Sequence, residues 1–283
     1  MPDDPFILRL QQAGISPLLQ EKWLALQSIL TRLGPAVVAY SGGVDSGFLA
    51  FAAHQSLGKK MLAVTMQSDL DPPEQLAAAR HFAGEAGFPH RILTFHALDY
   101  PAIRLNPSDR CYHCKRAILT RLHELCEAEG FTIVIEGQNL DDESDYRPGR
   151  RAVRETGTRS PLVEAGLTKN EIRQLAKAFG LSLWDKPASP CLATRFPYGE
   201  ALTPEGLLRV SQAEAFLRSL GLSILRVRSR EGLAVIEVLP QDFAVIAENH
   251  AAISGAFQRF GFKSVSLDLL GYRQGSLNEG LIP

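Results

Sequence analysis

For its first two thirds the chain alternates short unbroken apolar runs with longer stretches whose apolar positions recur at helical spacing. Residues 18–33 (LLQEKWLALQSILTRL) carry apolar side chains three and four apart and stop at Gly34-Pro35, which predicts a helix. Residues 36–40 (AVVAY) are a continuous apolar run, the pattern of a strand buried on both faces. The alternation continues as helix 46–57, strand 61–65, helix 73–87, strand 91–95, helix 115–129 and strand 132–136. Strands alternating with helices predict an α/β fold with a parallel sheet covered on both faces. Such sheets bind ligands beyond the carboxyl ends of their strands.

From about Thr203 the pattern changes to a helix (204–220), two alternating strands (224–228 and 234–238), a helix (242–260) and a strand (264–269). This predicts a small α+β domain. The expected break lies near Tyr198-Gly199, giving domains 1–199 and 200–283. No internal repeat or low-complexity segment is visible.

Composition narrows the function. Hydrophobic residues make up 45% of the 283 positions, enough for a real core. Thirty Lys and Arg stand against 31 Asp and Glu, a net charge of −1. That balance creates no global field for a long polyanion, so nucleic acid is not an expected partner. The opening MPDDPFILRLQQAG has the form of neither a secretory signal nor a membrane span, and the expected location is cytoplasmic. Thiols stay reduced there, so Cys111, Cys114, Cys126 and Cys191 read as ligands, nucleophiles or core residues rather than disulfides. Cys126 lies on the helix face marked by Leu119, Leu122 and Leu125, where a small core residue is the better reading.

Ser41-Gly42-Gly43-Val44-Asp45-Ser46 directly follows a predicted strand and opens a helix. Glycines let the backbone turn tightly and bring N–H groups close to an anion, and the helix N-terminus adds positive charge. The two serines supply hydroxyls, and Asp45 suits a magnesium ion beside phosphates. No G-x-x-x-x-G-K-[ST] pattern is present, which excludes the loop of γ-phosphate-cleaving ATPases. The plainer alternative is a serine-glycine turn that caps a helix.

After the fourth strand comes Glu136-Gly137-Gln138-Asn139-Leu140-Asp141-Asp142, continuing to Asp145-Tyr146-Arg147-Pro148-Gly149. Acids and arginines mixed at a strand's carboxyl end suit a magnesium-bound, phosphate-rich ligand, or else form a solvated loop that pairs its own charges. Further on, Thr168 and Glu171 have capping-box spacing at the start of a helix.

Arg110-Cys111-Tyr112-His113-Cys114-Lys115 sets two thiols at a helix start, and Cys191 falls in Lys186-Pro187-Ala188-Ser189-Pro190-Cys191-Leu192-Ala193-Thr194-Arg195. Three thiolates could hold an iron–sulfur cluster. Zinc on three cysteines and His113, or a C-x-x-C redox pair, remain open on spacing alone.

The S-G-G-x-D-S loop between strand and helix resembles the pyrophosphate loop of N-type (PP-loop) ATP-pyrophosphatases, and G-x-N-x-D-D resembles a second element of that group. Together with RCYHCK, DYRPG, KPASPCLATRFPYG, RVRSR and LDLLGYRQG, the chain from the helix before Ser41 to about Asn278 is similar to the ATP-dependent sacrificial sulfur transferases of the LarE family. The resemblance implies a parallel-sheet, adenine nucleotide alpha hydrolase-like domain followed by a small α+β domain. It also implies transfer of AMP to a carboxylate of a pyridinium dicarboxylate mononucleotide, then replacement of AMP by sulfur, toward the nickel-pincer nucleotide cofactor.

By that resemblance Ser41 to Ser46, Gly137 and Asp141 bind ATP, Asp45 holds Mg2+, and Lys186 or Arg195 offsets developing negative charge. Cys111, Cys114 and Cys191 match the family's three-cysteine kind, which is expected to bind a [4Fe-4S] cluster carrying a transferable sulfide. The other kind gives up the sulfur of its own cysteine, here Cys191. Arg226 and Arg228 correspond to arginines that bind the substrate phosphate near a subunit contact in homohexamers; a charged strand edge is the plainer reading. Glu237 is a weaker catalytic candidate whose side chain, by alternation, could simply face solvent. The competing functions are a PP-loop tRNA thiolase, an amide-forming relative of the NAD or GMP synthase kind, and a non-catalytic metal or nucleotide sensor. The charge balance weighs against the first, the cysteine trio against the second, and Asp45, Asp141 and Lys186 against the third.

Overall fold

A computed structural model describes residues 5–143, 149–187, 189–273, 275 and 277. Asp145, Tyr146, Arg147 and Pro148 of the acidic and basic loop, Ala188 of the KPASPC segment, and Gln274 and Asn278 lie outside the described residues. In chain order the elements are α1 (Pro5–Gln12), α2 (Pro17–Leu33), β1 (Ala36–Ala39), α3 (Val44–Leu57), β2 (Met61–Ser68), α4 (Pro73–Ala86) and β3 (His90–Phe95). Then follow α5 (Pro101–Arg104), α6 (Arg110–Ala128), β4 (Ile133–Glu136), α7 (Gly149–Thr156), α8 (Pro161–Glu164) and α9 (Lys169–Ala178). The chain continues with α10 (Pro204–Ser219), β5 (Leu225–Arg230), β6 (Leu233–Val238), α11 (Phe243–Glu248), α12 (His250–Arg259) and β7 (Ser264–Leu267).

These elements form two compact units. The first comprises the chain up to Ser68, Pro73–Phe95 and Asp109–Ser189; the second comprises Asp69–Pro72, His96–Ser108 and the chain from Pro190 onward.

In the first unit four parallel strands lie in the order β3-β2-β1-β4. The run AVVA of β1 is central, with Val37 opposite both Leu62 and Val134, which is why it is apolar without alternation. Helix α3 is buried nearly all round, through Phe48, Leu49, Ala50, Phe51, Ala52 and Ala53. A second reason for small residues appears at Gly47, where a Cβ would stand 2.6 Å from Leu183 Cδ2. Trp23 of α2 fills the centre of this layer, its ring 4.7 Å from that of Phe179 and 6.0 Å from that of Phe48. The layer packs α3 on nearly all sides, and that packing sets where the loop at its N-terminus lies.

In the second unit β5 and β6 pair antiparallel through a two-residue turn, Glu231-Gly232, with both residues at positive φ (49° and 89°). β7 joins β6 in parallel, giving the order β5-β6-β7. Thr203 caps α10 by accepting from Gly206 N at 3.0 Å. The single helix expected over 242–260 is in fact two, α11 and α12, parted at Asn249. The Asn249 amide donates to Val245 O at 2.8 Å, so this side chain ends one helix where the apolar pattern alone would run on.

Candidate active site

Beyond Ala39 the chain turns through Ser41, Gly42 and Gly43 into α3. Gly42 sits at φ 76°, and a Cβ there would stand 2.8 Å from Ala79 Cβ. At the end of β4, a Cβ on Gly137 would meet Ser46 N at 2.7 Å, so only glycine lets that strand end lie directly against the first turn of α3. Gly43 caps α3 without a side-chain hydrogen bond, which leaves the helix's first N–H groups to serve an anion.

Inside the turn, Ser41 Oγ and Ser46 Oγ lie 3.0 Å apart. Ser46 Oγ accepts from Ser41 N at 3.2 Å, and Ser41 Oγ accepts from Gly43 N at 3.4 Å. Two side chains grip carbonyls of the turn. Gln75 Nε2 donates to Ser41 O at 2.9 Å, and Lys186 Nζ donates to Gly42 O at 2.7 Å. Burial lowers the Lys186 pKa from its ordinary value.

Asp45 faces a lysine absent from the sequence expectations. Its Oδ2 accepts from Lys169 Nζ, while its Oδ1 is buried with no hydrogen-bond partner among the described residues. Burial pushes the Asp45 carboxyl above its ordinary range. The charge and hydrogen bond of Lys169 oppose the rise, Asp142 adds to it, and the Asn139 side chain eases it slightly.

The acidic loop is wound into a short turn over Leu140–Glu143. Asn139 N donates to Asp142 Oδ2 at 3.1 Å, Asp141 N donates to Asn139 Oδ1 at 3.0 Å, and Lys169 N donates to Asp141 Oδ2 at 2.8 Å. The Thr168–Glu171 capping box is present, so the start of α9 is fixed. One turn further on, Arg173 donates to Trp184 O at 2.7 Å and Lys186 O at 2.8 Å. A single helix thus positions both Asp45 and the backbone that carries Lys186.

Behind the loop, Glu136 is 2% exposed and accepts from Lys115 Nζ at 2.8 Å, Ser160 Oγ at 2.5 Å and Gln138 N at 3.1 Å. A cavity of about 230 Å³ lies beside it, lined among others by Gln138, Asn139, Asp142, Arg154 and Arg159.

The donor set around Asp45 fits magnesium. The ion is bound by one or two carboxylates together with substrate phosphates rather than by an all-protein cage, and a buried carboxylate oxygen without a partner is a ready ligand. The thiols are a different case. Cys111 and Cys114 lie in the first turn of α6, exposed and half-buried, and Arg110 Nη2 stands 3.6 Å from Cys111 Sγ. Cys191 belongs to the second unit, half-buried at the head of a short turn over Leu192–Arg195. Thiol ligands suit an iron–sulfur cluster chemically, but among the described residues no three Cys, His, Asp or Glu side chains form a metal-holding group. Cys126, 4% exposed, is a core residue whose thiol pKa is raised by burial.

In the second unit Arg195, Arg226 and Arg228 are engaged. Arg195 Nε and Nη2 meet Glu214 Oε1 and Oε2 at 2.8 and 2.9 Å, and its Nη1 donates to Pro190 O, Cys191 O and Thr194 Oγ1. Sequence reading gave Arg195 to developing charge on a substrate; the structure places it as a clasp on the Cys191 backbone. Arg228 and Glu237 form a second two-pronged pair, at 3.0 and 2.9 Å, both buried. Glu237 therefore does not face solvent, and neither Arg226 nor Arg228 is a bare charged edge. Arg226 is half-buried over the Tyr272 ring, 5.3 Å from its centroid; burial, with Arg195 nearby, lowers its pKa. Sequence reading missed Lys169 and Gln75, which act on residues 124 and 34 positions away, and Arg173 and Glu214, which hold partners outside their own helices.

No family model matches the chain. It is 37% identical over 268 residues to the pyridinium-3,5-bisthiocarboxylic acid mononucleotide synthase of Lactiplantibacillus plantarum, covering 93% of this chain and 96% of that protein. The chain belongs to the LarE family. It is also 42% identical over 266 residues to the uncharacterized protein slr1717 of Synechocystis sp., covering 93% and 99% of the two chains. A more distant likeness, 27% over 218 residues, joins it to the tRNA-specific 2-thiouridylase MnmA of Wolbachia pipientis. The parallel sheet of this LarE protein, with the Ser41–Ser46 loop at its carboxyl end, is the PP-loop ATP-pyrophosphatase fold. Among its described residues no helix is long and apolar enough to cross a membrane.

Proposed function

We propose that the protein is an ATP-dependent sulfur transferase that adenylates a carboxylate of a pyridinium dicarboxylate mononucleotide and then replaces AMP with sulfur. The observation that carries this reading is the convergence of the glycine turn, Asp45, Lys169 and Lys186 at the carboxyl end of β1.

The N–H groups at the start of α3 and the hydroxyls of Ser41 and Ser46 receive the β and γ phosphates of ATP. Gly137 keeps the end of β4 close to that turn, and Asp141 acts through the start of α9. Asp45 would hold Mg2+ through its partnerless oxygen, supplying charge neutralisation to the phosphates. A substrate carboxylate oxygen attacks the α phosphorus, the bond to pyrophosphate breaks, and an acyl adenylate remains. Lys186, cationic and beside Gly42, stabilises the departing pyrophosphate. A sulfur nucleophile then forms a bond to the acyl carbon and AMP leaves.

The same reading assigns Cys111, Cys114 and Cys191 to a [4Fe-4S] cluster, which would supply a transferable sulfide. Arg226 and Arg228 lie at the substrate phosphate, Glu237 orients Arg228, and the protein assembles as a homohexamer. The place of Cys191 beside the Arg195 clasp supports a fixed rather than wandering thiol.

Pyrophosphate exchange into ATP tests the first half-reaction. Exchange that depends on the pyridinium dicarboxylate mononucleotide, with release of AMP and a thiocarboxylate product by mass, is the expected result. Exchange that requires tRNA, or an amide product with ammonia, would replace the reading with a tRNA thiolase or an amide-forming enzyme.

A further inference from the structure

The Lys169–Asp45 pair occupies the position that the proposed function gives to a metal ion. Lys169 is the first residue of α9. Its backbone is pinned twice, by its N–H to Asp141 Oδ2 and by the capping box of Thr168 and Glu171. Its side chain, by contrast, is 38% exposed on a flexible four-carbon stem and, among the described residues, pairs with the carboxylate of Asp45. The two oxygens of Asp45 are treated differently: Oδ2 carries the ammonium, and Oδ1 is buried with no partner among the described residues. A rigid base with a movable tip, seated on half of a carboxylate, has the form of an exchangeable counter-ion.

We propose that Lys169 is an internal cation that occupies Asp45 until nucleotide arrives, and that the triphosphate draws its ammonium away so that the divalent ion can seat. The inference rests on the assignment of Asp45 to the metal. It goes beyond that assignment by making metal binding conditional on an anion: the metal alone must compete with a tethered ammonium, whereas phosphates give that ammonium a better partner. Binding is then ordered, nucleotide before metal closure, and the buried carboxylate is never left without a cation.

The test uses the full chain and Mn2+ alone as the probe, followed by the magnetic resonance signal of the free ion. Lys169→Met removes the competitor. It should bind Mn2+ about fivefold more tightly than the wild type without nucleotide, while its affinity for α,β-methylene-ATP falls by a similar factor. A lysine with a merely structural role would weaken both. Lys169→Arg keeps the charge and should resemble the wild type. Lys169→Gln, neutral with a hydrogen-bonding tip, should follow Lys169→Met and serves if that variant does not fold. Unchanged or weaker Mn2+ binding in a folded neutral variant overturns the proposal. Asp45→Asn, alone and combined with Lys169→Met, separates the two ideas. If it abolishes Mn2+ binding but the neutral variants show no gain, only the counter-ion proposal falls. If Mn2+ binding survives Asp45→Asn, the metal assignment falls with it.

Discussion

Arg195 and Glu214 face each other as a closed two-pronged pair, each 1% exposed, with both of their hydrogen bonds shorter than 3 Å. Glu214 also accepts from Val227 N at 3.1 Å and from Arg218 Nη2 at 3.2 Å, so one carboxylate joins α10, β5 and the Cys191 turn. Removing one partner leaves the other charge buried. Glu214→Ala should therefore cost about 3–5 kcal/mol, and the double variant Arg195→Met/Glu214→Leu should recover much of that loss. Urea unfolding of the single and double variants measures both.

The same pair sets a pH dependence. Burial alone would raise the Glu214 pKa, but the hydrogen bond and charge of Arg195, the Val227 N–H and the charge of Arg226 more than offset it and hold it below the ordinary value. A carboxyl depressed in the folded state adds stability above its unfolded pKa, about 4.3, and loses it as pH falls through the folded value. Melting temperature followed from pH 6 downward should drop on the acid side in the wild type. Glu214→Gln, already destabilised at neutral pH, should show a shallower acid limb.

Gly137→Ala should act on nucleotide binding. The new Cβ would press on Ser46 N and Cα, which are backbone atoms and cannot rotate aside. Moving the first turn of α3 disturbs the anion-facing N–H groups, and a loss of tenfold or more in affinity for ATP is expected, about 1.4 kcal/mol. Calorimetric titration with a non-hydrolysable ATP analogue reads it. Gly84→Ala, where nothing stands within 4 Å of the added atom, is the matched control and should bind as the wild type does.

Metal analysis decides the role of the thiols. Protein prepared without oxygen should contain iron and acid-labile sulfide near about four each per chain, and Cys111→Ala, Cys114→Ala and Cys191→Ala should each lose them. Cys126→Ala, a change in the core, should leave the iron content alone. Zinc, or no metal in well-folded protein, would remove the cluster and leave Cys191 as a sulfur donor in its own right.

The strands around the loop were legible because burial on both faces writes an unbroken apolar run, and the glycine turn was legible because its chemistry is local. β1, β2 and β4 fall within a few residues of their expected places for that reason; β3, an edge strand of which only Phe95 is buried, was legible from its place in the alternation with helices. Asn249 was not legible as a break, since a single amide against Val245 O overrules nineteen residues of helical periodicity. Lys169 was not legible as the partner of Asp45, because 124 residues separate them and nothing in either neighbourhood names the other. Glu237 illustrates the same limit. Alternation along β6 allowed it to face water, and only the sheet register, which sets it opposite Arg226 and within reach of Arg228, fixes its surroundings.

The discontinuous make-up of the second unit has a consequence for how the protein is made. Asp69–Pro72 and His96–Ser108 leave the ribosome long before their partners, for Leu192 N donates to Leu70 O, Gly199 N to Asn106 O and Leu202 N to Arg104 O. Those early segments must wait through the synthesis of more than eighty further residues, at roughly 5–20 residues per second, with apolar groups such as Ile103 still uncovered. The two units therefore cannot mature one after the other like beads on a string. The nascent chain has an interval of vulnerability, closed only when the segment that carries Cys191 comes home.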